Sequence, residues 1–123
     1  MDRVSFFEFS TPDPALEKAF FSDVFGWEIK QWGEQDYWLA TTGPADKPGI
    51  DGGIQPPPMA DAPRVVNTMN VDDIDATIVK AKSAGAMVVV EKMEVPGMGL
   101  LAYLTSPTGI PFGVMQTMPG AMM

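Results

Sequence analysis

The chain contains neither cysteine nor histidine. Without thiolate or imidazole, the usual zinc, copper and non-haem iron ligand sets are excluded. The commonest general base and the strongest side-chain nucleophile are missing too, and disulfides are impossible. Positive charge is scarce. Eight basic residues face sixteen acidic ones, for a formal charge of −8. Nucleic acids and anionic membrane surfaces are poor partners for that field. A neutral or cationic small molecule suits it better, and a plain solvated acidic surface accounts for the same excess. Long apolar runs are absent. None approaches the roughly 18 residues needed to cross a bilayer, and the opening MDRVSFFEFS lacks a signal-peptide core. A cytoplasmic protein is expected.

What remains is enough for one domain. The 123 residues are 46% hydrophobic, sufficient for a packed core at this length. Chemistry or binding falls to carboxylates, amides, hydroxyls and aromatic rings. The glycine-containing stretches GPADKPG and GIDGG lack the order of a phosphate-binding loop. There is no nucleophile elbow, and the serines have no histidine base. No catalytic residue is assigned.

The chain reads as two similar halves. Val4 to Ser10 alternates as a strand. A helix is expected over 13–25, with Asp13 as cap, Pro14 at the first helical position and Gly26 as stop. Its apolar face is read as Leu16, Ala19, Phe20 and Val24. The second half repeats the event, with a strand over Arg64–Val71 and a helix over 72–84. Asp72 is taken as the cap, Asp75 as its capping-box partner, and Gly85 as the stop. Ile74, Ile78 and Ala81 form the inward stripe. Asp13 to Gly26 and Asp72 to Gly85 are spans of equal length, the mark of an internal repeat. Each helix is followed by three strand-like segments: WEIKQW, DYWLATT and GIDGGIQ, then MVVVEKM, GLLAYLT and PFGVMQT. The order is βαβββ twice. Module one covers about 3–55 and module two about 64–117. The proline-rich stretch 56–63, PPPMADAP, is read as the linker within a single domain spanning 1–123.

The stretches FFEFSTPDPALEKAFFSDVFGWEI, VDDIDATIVKAKSAGAMVVV and SPTGIPFGVMQ resemble the vicinal-oxygen-chelate superfamily of glyoxalase, bleomycin-resistance and dioxygenase proteins. The resemblance implies an α/β fold of two βαβββ modules whose curved mixed sheets form a cup. One sheet face lies under the helices and the other lines the cup. Phe7 and Phe9 then face the helix, while Phe6, Glu8 and Ser10 face the cup. Val66, Thr68 and Asn70 are the matching set in module two. The positions that carry metal ligands in such families fall on Phe6, Val66 and Gly113. A fourth lies near GIDGGI, where Asp51 reads as a turn residue. No metal and no cofactor are therefore expected.

The candidate ligand-binding residues are Phe6, Glu8, Trp38, Val66, Thr68 and Met115. Glu8 is the sharpest polar candidate, a carboxylate among phenylalanines. It is open to reading as a ligand anchor, an acid–base group or a structural hydrogen-bond partner. Tyr37 and Trp38 should point to opposite faces, one toward the cup and one into packing. Trp27 is expected to anchor packing. Of the ten methionines, Met118, Met122 and Met123 sit in a tail and Met59 in the linker, Met98 is placed to cover a pocket mouth, and Met115 alternates toward the cup. The resemblance implies a homodimer that binds a small molecule without metal. A lyase or isomerase using Glu8 or an oxygen-only metal site, and a non-catalytic structural or regulatory domain, remain as alternatives.

Overall fold

The protein is described from a computed structural model, in which residues 1–119 are described; Met122 and Met123 lie outside them. Its elements run β1 (Arg3–Ser10), α1 (Pro14–Phe25), β2 (Glu28–Gln31), β3 (Trp38–Thr41), β4 (Asp51–Gln55), β5 (Val65–Asn70), α2 (Ile74–Ser83), β6 (Met87–Val95), β7 (Gly99–Thr105) and β8 (Pro111–Thr117). This is the expected βαβββ order, twice. The backbone divides into two compact units, Phe6–Val66 and a second formed by Asn67 onward together with Met1–Ser5.

In the Phe6–Val66 unit, β2, β3 and β4 are antiparallel neighbours, and β4 runs parallel to β1. Parallel pairing requires a long crossover, which α1 supplies. Asp13 caps α1, its carboxylate accepting from the Leu16 N–H, and Gly26 ends the helix in the left-handed region at φ 73°. Phe7, Ile29, Ala40 and Ile54 form the core between sheet and helix. An aromatic stack extends it: Phe9 lies 5.2 Å from Phe21, and Phe21 lies flat on Trp27 at 4.8 Å and 9°. Trp27 is thus the packing anchor expected of it.

One expectation about α1 fails. The stripe Leu16, Phe20 and Val24 does not face the sheet; these side chains are 65%, 51% and 56% exposed. Phe21 is the inward residue, because its ring completes the stack between Phe9 and Trp27. A stripe read at helical spacing locates an apolar face without saying which neighbour covers it.

In the second unit β5 runs parallel to β8, and β8, β7 and β6 are antiparallel neighbours. Val71, Ile74, Ala102, Leu104 and Val114 form its core, with Ile78 and Ala81 packed on it as the inward stripe of α2. The cap is Asp73 rather than Asp72: its side chain accepts from the Ala76 N–H, while Asp75 falls in the first turn. An acidic pair at a helix start is ambiguous by sequence, and backbone direction decides which oxygen reaches the free N–H groups. The correction moves the second cap one position along the chain relative to the first. Lys92 pairs with Asp75 at 2.7 Å. Residues 56–63 contain no helix or strand.

Candidate functional site

Strand alternation sorts each sheet into two faces. In the Phe6–Val66 unit, Phe7, Ile54 and Ala40 lie under α1. Their strand neighbours Phe6, Glu8, Gly53 and Leu39 take the opposite face, where Glu8 pairs in register with Gly53 and Gly53 with Leu39. The expected division of the first strand, with Phe7 and Phe9 toward the helix and Phe6 and Glu8 away from it, therefore holds.

Two successive glycines shape this strand. A Cβ on Gly52 would overlap the Phe7 ring, and a Cβ on Gly53 would overlap the Tyr37 hydroxyl and ring. Adjacent residues of a strand point to opposite faces, so β4 is bare on both sides and carries an aromatic ring on each. On the side away from α1 the consequence is chemical. The Tyr37 hydroxyl reaches across Gly53 and donates to Glu8 Oε2 at 2.7 Å. That length is typical of a strong O–H···O bond. The Trp32 ring meets Tyr37 edge-on, with centroids 6.0 Å apart. Glu8 and Tyr37 are both half-buried. The site thus offers a held carboxylate, a phenol and an indole side by side.

Trp38 belongs elsewhere. Paired with Ile54, it packs on the core cluster on the helix side. Of the Tyr37–Trp38 pair, Tyr37 lies on the face away from α1, over Gly53. Sequence reasoning named Trp38 in place of its neighbour Tyr37, and it passed over Gly53. The signal was the double glycine of β4, since a glycine inside a strand marks close approach.

The second unit repeats the device with different chemistry. Thr68 pairs with Gly113, and Gly113 with Tyr103. A Cβ on Gly113 would lie 2.7 Å from Thr68 Oγ1 and 3.3 Å from the Tyr103 ring. A tyrosine again covers a glycine beside the first strand of the module. Glu8 and Thr68 stand the same distance apart in the chain as Gly53 and Gly113, so the two arrangements are repeat equivalents. Met115 pairs with Asn70 and Leu101 on the same face as Thr68. The Asn70 side-chain oxygen is buried without a hydrogen-bond partner. Met98 is buried, and its carbonyl accepts from the Met118 N–H.

Phe6, Val66, Thr68 and Met115 are all buried. Phe6, Glu8 and Val66 fall in one unit, and Thr68 and Met115 in the other. Glu8 and Tyr37 form the polar focus in the first unit, and Thr68, Gly113 and Tyr103 form a second group in the other.

The residues do not fit a divalent metal centre. Phe6 and Val66 offer hydrocarbon and Gly113 offers no side chain. Asp51, expected in a turn, instead opens β4 in register with Phe6, and its Oδ1 accepts from the Thr42 N–H at 2.9 Å. Among the described residues no three Asp or Glu side chains gather as a metal-holding group. Hard cations need several converging oxygens. Nor is any helix among the described residues long and apolar enough to cross a membrane.

Comparison with known proteins agrees with this geometry. The model of a family described as "Glyoxalase-like domain" matches residues 6–115. Proteins from Mycobacterium bovis and Mycobacterium tuberculosis named "Putative glyoxylase CFP32" are 34% identical over 116 residues, covering 91% of this chain and 43% of theirs. The chain therefore spans less than half the length of these relatives. A glyoxalase/bleomycin resistance protein/dioxygenase superfamily member from Vibrio splendidus superposes with a TM-score of 0.67 at 20% identity, covering 94% of this chain and 98% of that one. A methylmalonyl-CoA epimerase from Streptomyces coelicolor does so with 0.68 at 14% identity, covering 100% and 99%. At such identities these structures establish the fold alone.

Proposed function

This chain belongs to the glyoxalase-like domain family, and on that premise we propose that it binds a small molecule without a protein-bound metal, using Glu8 as the anchor. The observation carrying this reading is the Tyr37 hydroxyl bonded to Glu8 Oε2 across Gly53. A carboxylate held in one orientation spends little conformational entropy on meeting a donor. The neighbouring Tyr37 and Trp32 rings offer apolar faces and cation–π contact. Together these suit a neutral or cationic ligand with an N–H or O–H donor and an apolar body, in keeping with a chain of charge −8. In the other unit, Thr68 and Met115 are proposed as binding residues of a group of their own. The active form is proposed to be a homodimer.

A screen of organic amines and neutral aromatic alcohols by thermal shift would supply a ligand. Glu8→Gln keeps size and some hydrogen bonding while removing charge. For an amine ligand it should weaken binding by roughly 1–3 kcal/mol with little change in melting temperature. Unchanged affinity would remove Glu8 as the anchor.

Two competing readings have observations of their own. Proton-transfer chemistry of lyase or isomerase type needs a second group beside Glu8, and Tyr37 is at hydrogen-bond distance. Turnover of an α-hydroxy or thioester carbon acid, abolished by both Glu8→Gln and Tyr37→Phe, would establish it. A purely structural domain is favoured by the burial of Phe6, Val66 and Met115. Failure of every screened compound to stabilise the protein, with a large loss of stability in Glu8→Gln, would favour that role.

A further inference from the structure

Asn70 ends β5 with a polar atom that the fold leaves unused. Among the described residues its side-chain Oδ1 is buried and has no hydrogen-bond partner. An orphaned buried acceptor forfeits its full desolvation cost, and native folds keep few of them. No local role explains it. Asn70 does not cap α2, because Asp73 does. Its backbone is already paired, its carbonyl accepting from the Asp2 N–H at 2.6 Å, so the sheet does not need the amide. The surroundings are apolar. Register places Asn70 in a row with Met115, Leu101 and Met93, next to Thr68 and Tyr103. None of these side chains is charged. Asn70, Leu101 and Tyr103 are half-buried and Met93 is 40% exposed, so the row still meets solvent. The terminal torsion of asparagine is soft, and rotation about it turns the oxygen toward a bound molecule.

We propose that Asn70 reads an uncharged ligand bearing a carboxamide or lactam, with Met115, Leu101 and Tyr103 receiving its apolar body. This rests on the reading of Thr68 and Met115 as a binding group and names what that group takes. The chemistry differs from that beside Glu8. An ammonium ion brought to this row would lose its water with no carboxylate in the row to pair with, at a cost far above that of a neutral group. A buried acceptor calls for an N–H or O–H. Asn70 Nδ2, a donor, stands on the same planar group as Oδ1. The full complement of that edge is an N–H and a C=O side by side, which a primary amide or a lactam presents and an alcohol does not. Thioethers and a phenol ring suit a flat apolar body behind the amide.

Titration of the full chain with benzamide, N,N-dimethylbenzamide and benzylamine, followed by NMR, tests this directly. Benzamide should shift the resonances of Asn70, Leu101 and Met115 and saturate in the millimolar range expected of so small a ligand. N,N-dimethylbenzamide keeps the ring and carbonyl but has no N–H, and should bind roughly 10-fold more weakly or worse. Asn70→Leu keeps the branched shape and removes the amide. It should weaken benzamide binding by roughly 10-fold or more, with a melting temperature equal to or above that of the parent because the orphaned acceptor is gone. Asn70→Ala serves if Asn70→Leu fails to fold. Equal binding of the two amides, benzamide binding that survives the substitution, or no benzamide binding would each overturn the proposal. So would a marked fall in melting temperature in both variants, which would assign the amide to the fold. Benzylamine binding that is lost in Glu8→Gln, without benzamide binding, overturns this inference and leaves the Glu8 anchor standing. Benzamide read through Asn70, without benzylamine binding, upholds it and overturns the Glu8 anchor.

Discussion

The Tyr37 hydroxyl occupies the space that a Cβ on Gly53 would need, and from there it holds the Glu8 carboxylate. A backbone position without a side chain thus determines the geometry of a polar group on the neighbouring strand.

Gly53→Ala should be destabilising even though alanine is the smallest addition. The new methyl must displace the Tyr37 ring, at a cost of about 1–3 kcal/mol. In Gly53→Ala/Tyr37→Ala the two effects should be far from additive, because the clash is gone. Urea unfolding of the two single variants and the double variant measures this. Simple additivity of the two single losses would mean that the ring does not rest on Gly53.

Tyr37→Phe removes the donor and keeps the ring. Stability should fall by about 0.5–1.5 kcal/mol, the net value of one hydrogen bond. In the Glu8→Gln background the same change should cost less. Near-ultraviolet absorbance provides a second readout, since the tyrosine spectrum should shift on Glu8→Gln. No spectral shift would show the two groups are apart in solution.

The helix caps separate two readings of the Asp72–Asp73 pair. Asp13→Ala and Asp73→Ala should each cost about 1 kcal/mol, while Asp72→Ala should cost less than about 0.5 kcal/mol. Equal losses at Asp72 and Asp73 in thermal unfolding would contradict the cap assigned to α2.

Gly99→Ala should be among the most damaging single-methyl changes. Gly99 has φ 148°, and a Cβ there would overlap the Gln116 carbonyl oxygen, which belongs to backbone and cannot rotate aside. A loss above about 2 kcal/mol is expected. Gly33→Ala has positive φ but open space around it, so it should cost less, about 1 kcal/mol. A Gly99→Ala protein as stable as Gly33→Ala would contradict the close approach of β7 and β8.

Purified protein should carry well under one equivalent of zinc, nickel, iron or manganese by elemental analysis, because no oxygen set converges on one point among the described residues. One firmly bound metal per chain would overturn the metal-independent proposal.

Much of this molecule was legible from local chemistry. The caps Asp13 and Gly26, the helix at Pro14–Phe25 and the strands of both modules follow from residues acting on their nearest neighbours. Such signals survive in sequence because their partners are at most a few positions away. Alternation similarly sorted Phe7 from Glu8, once family resemblance had indicated which face lay under the helix. The lack of imidazole and thiolate was decided by composition alone. Tertiary structure decided what depended on partners distant in sequence. Glu8 and Tyr37 are 29 residues apart, and the register of β1, β3 and β4 brings them together over Gly53. It selected Tyr37 over Trp38 for the face away from α1, Asp73 over Asp72 for the cap, and Phe21 over Phe20 for the core. In each case the sequence presented two chemically similar neighbours. Only backbone direction, which is set by pairing with remote strands, determines which of the two points at the atom it meets.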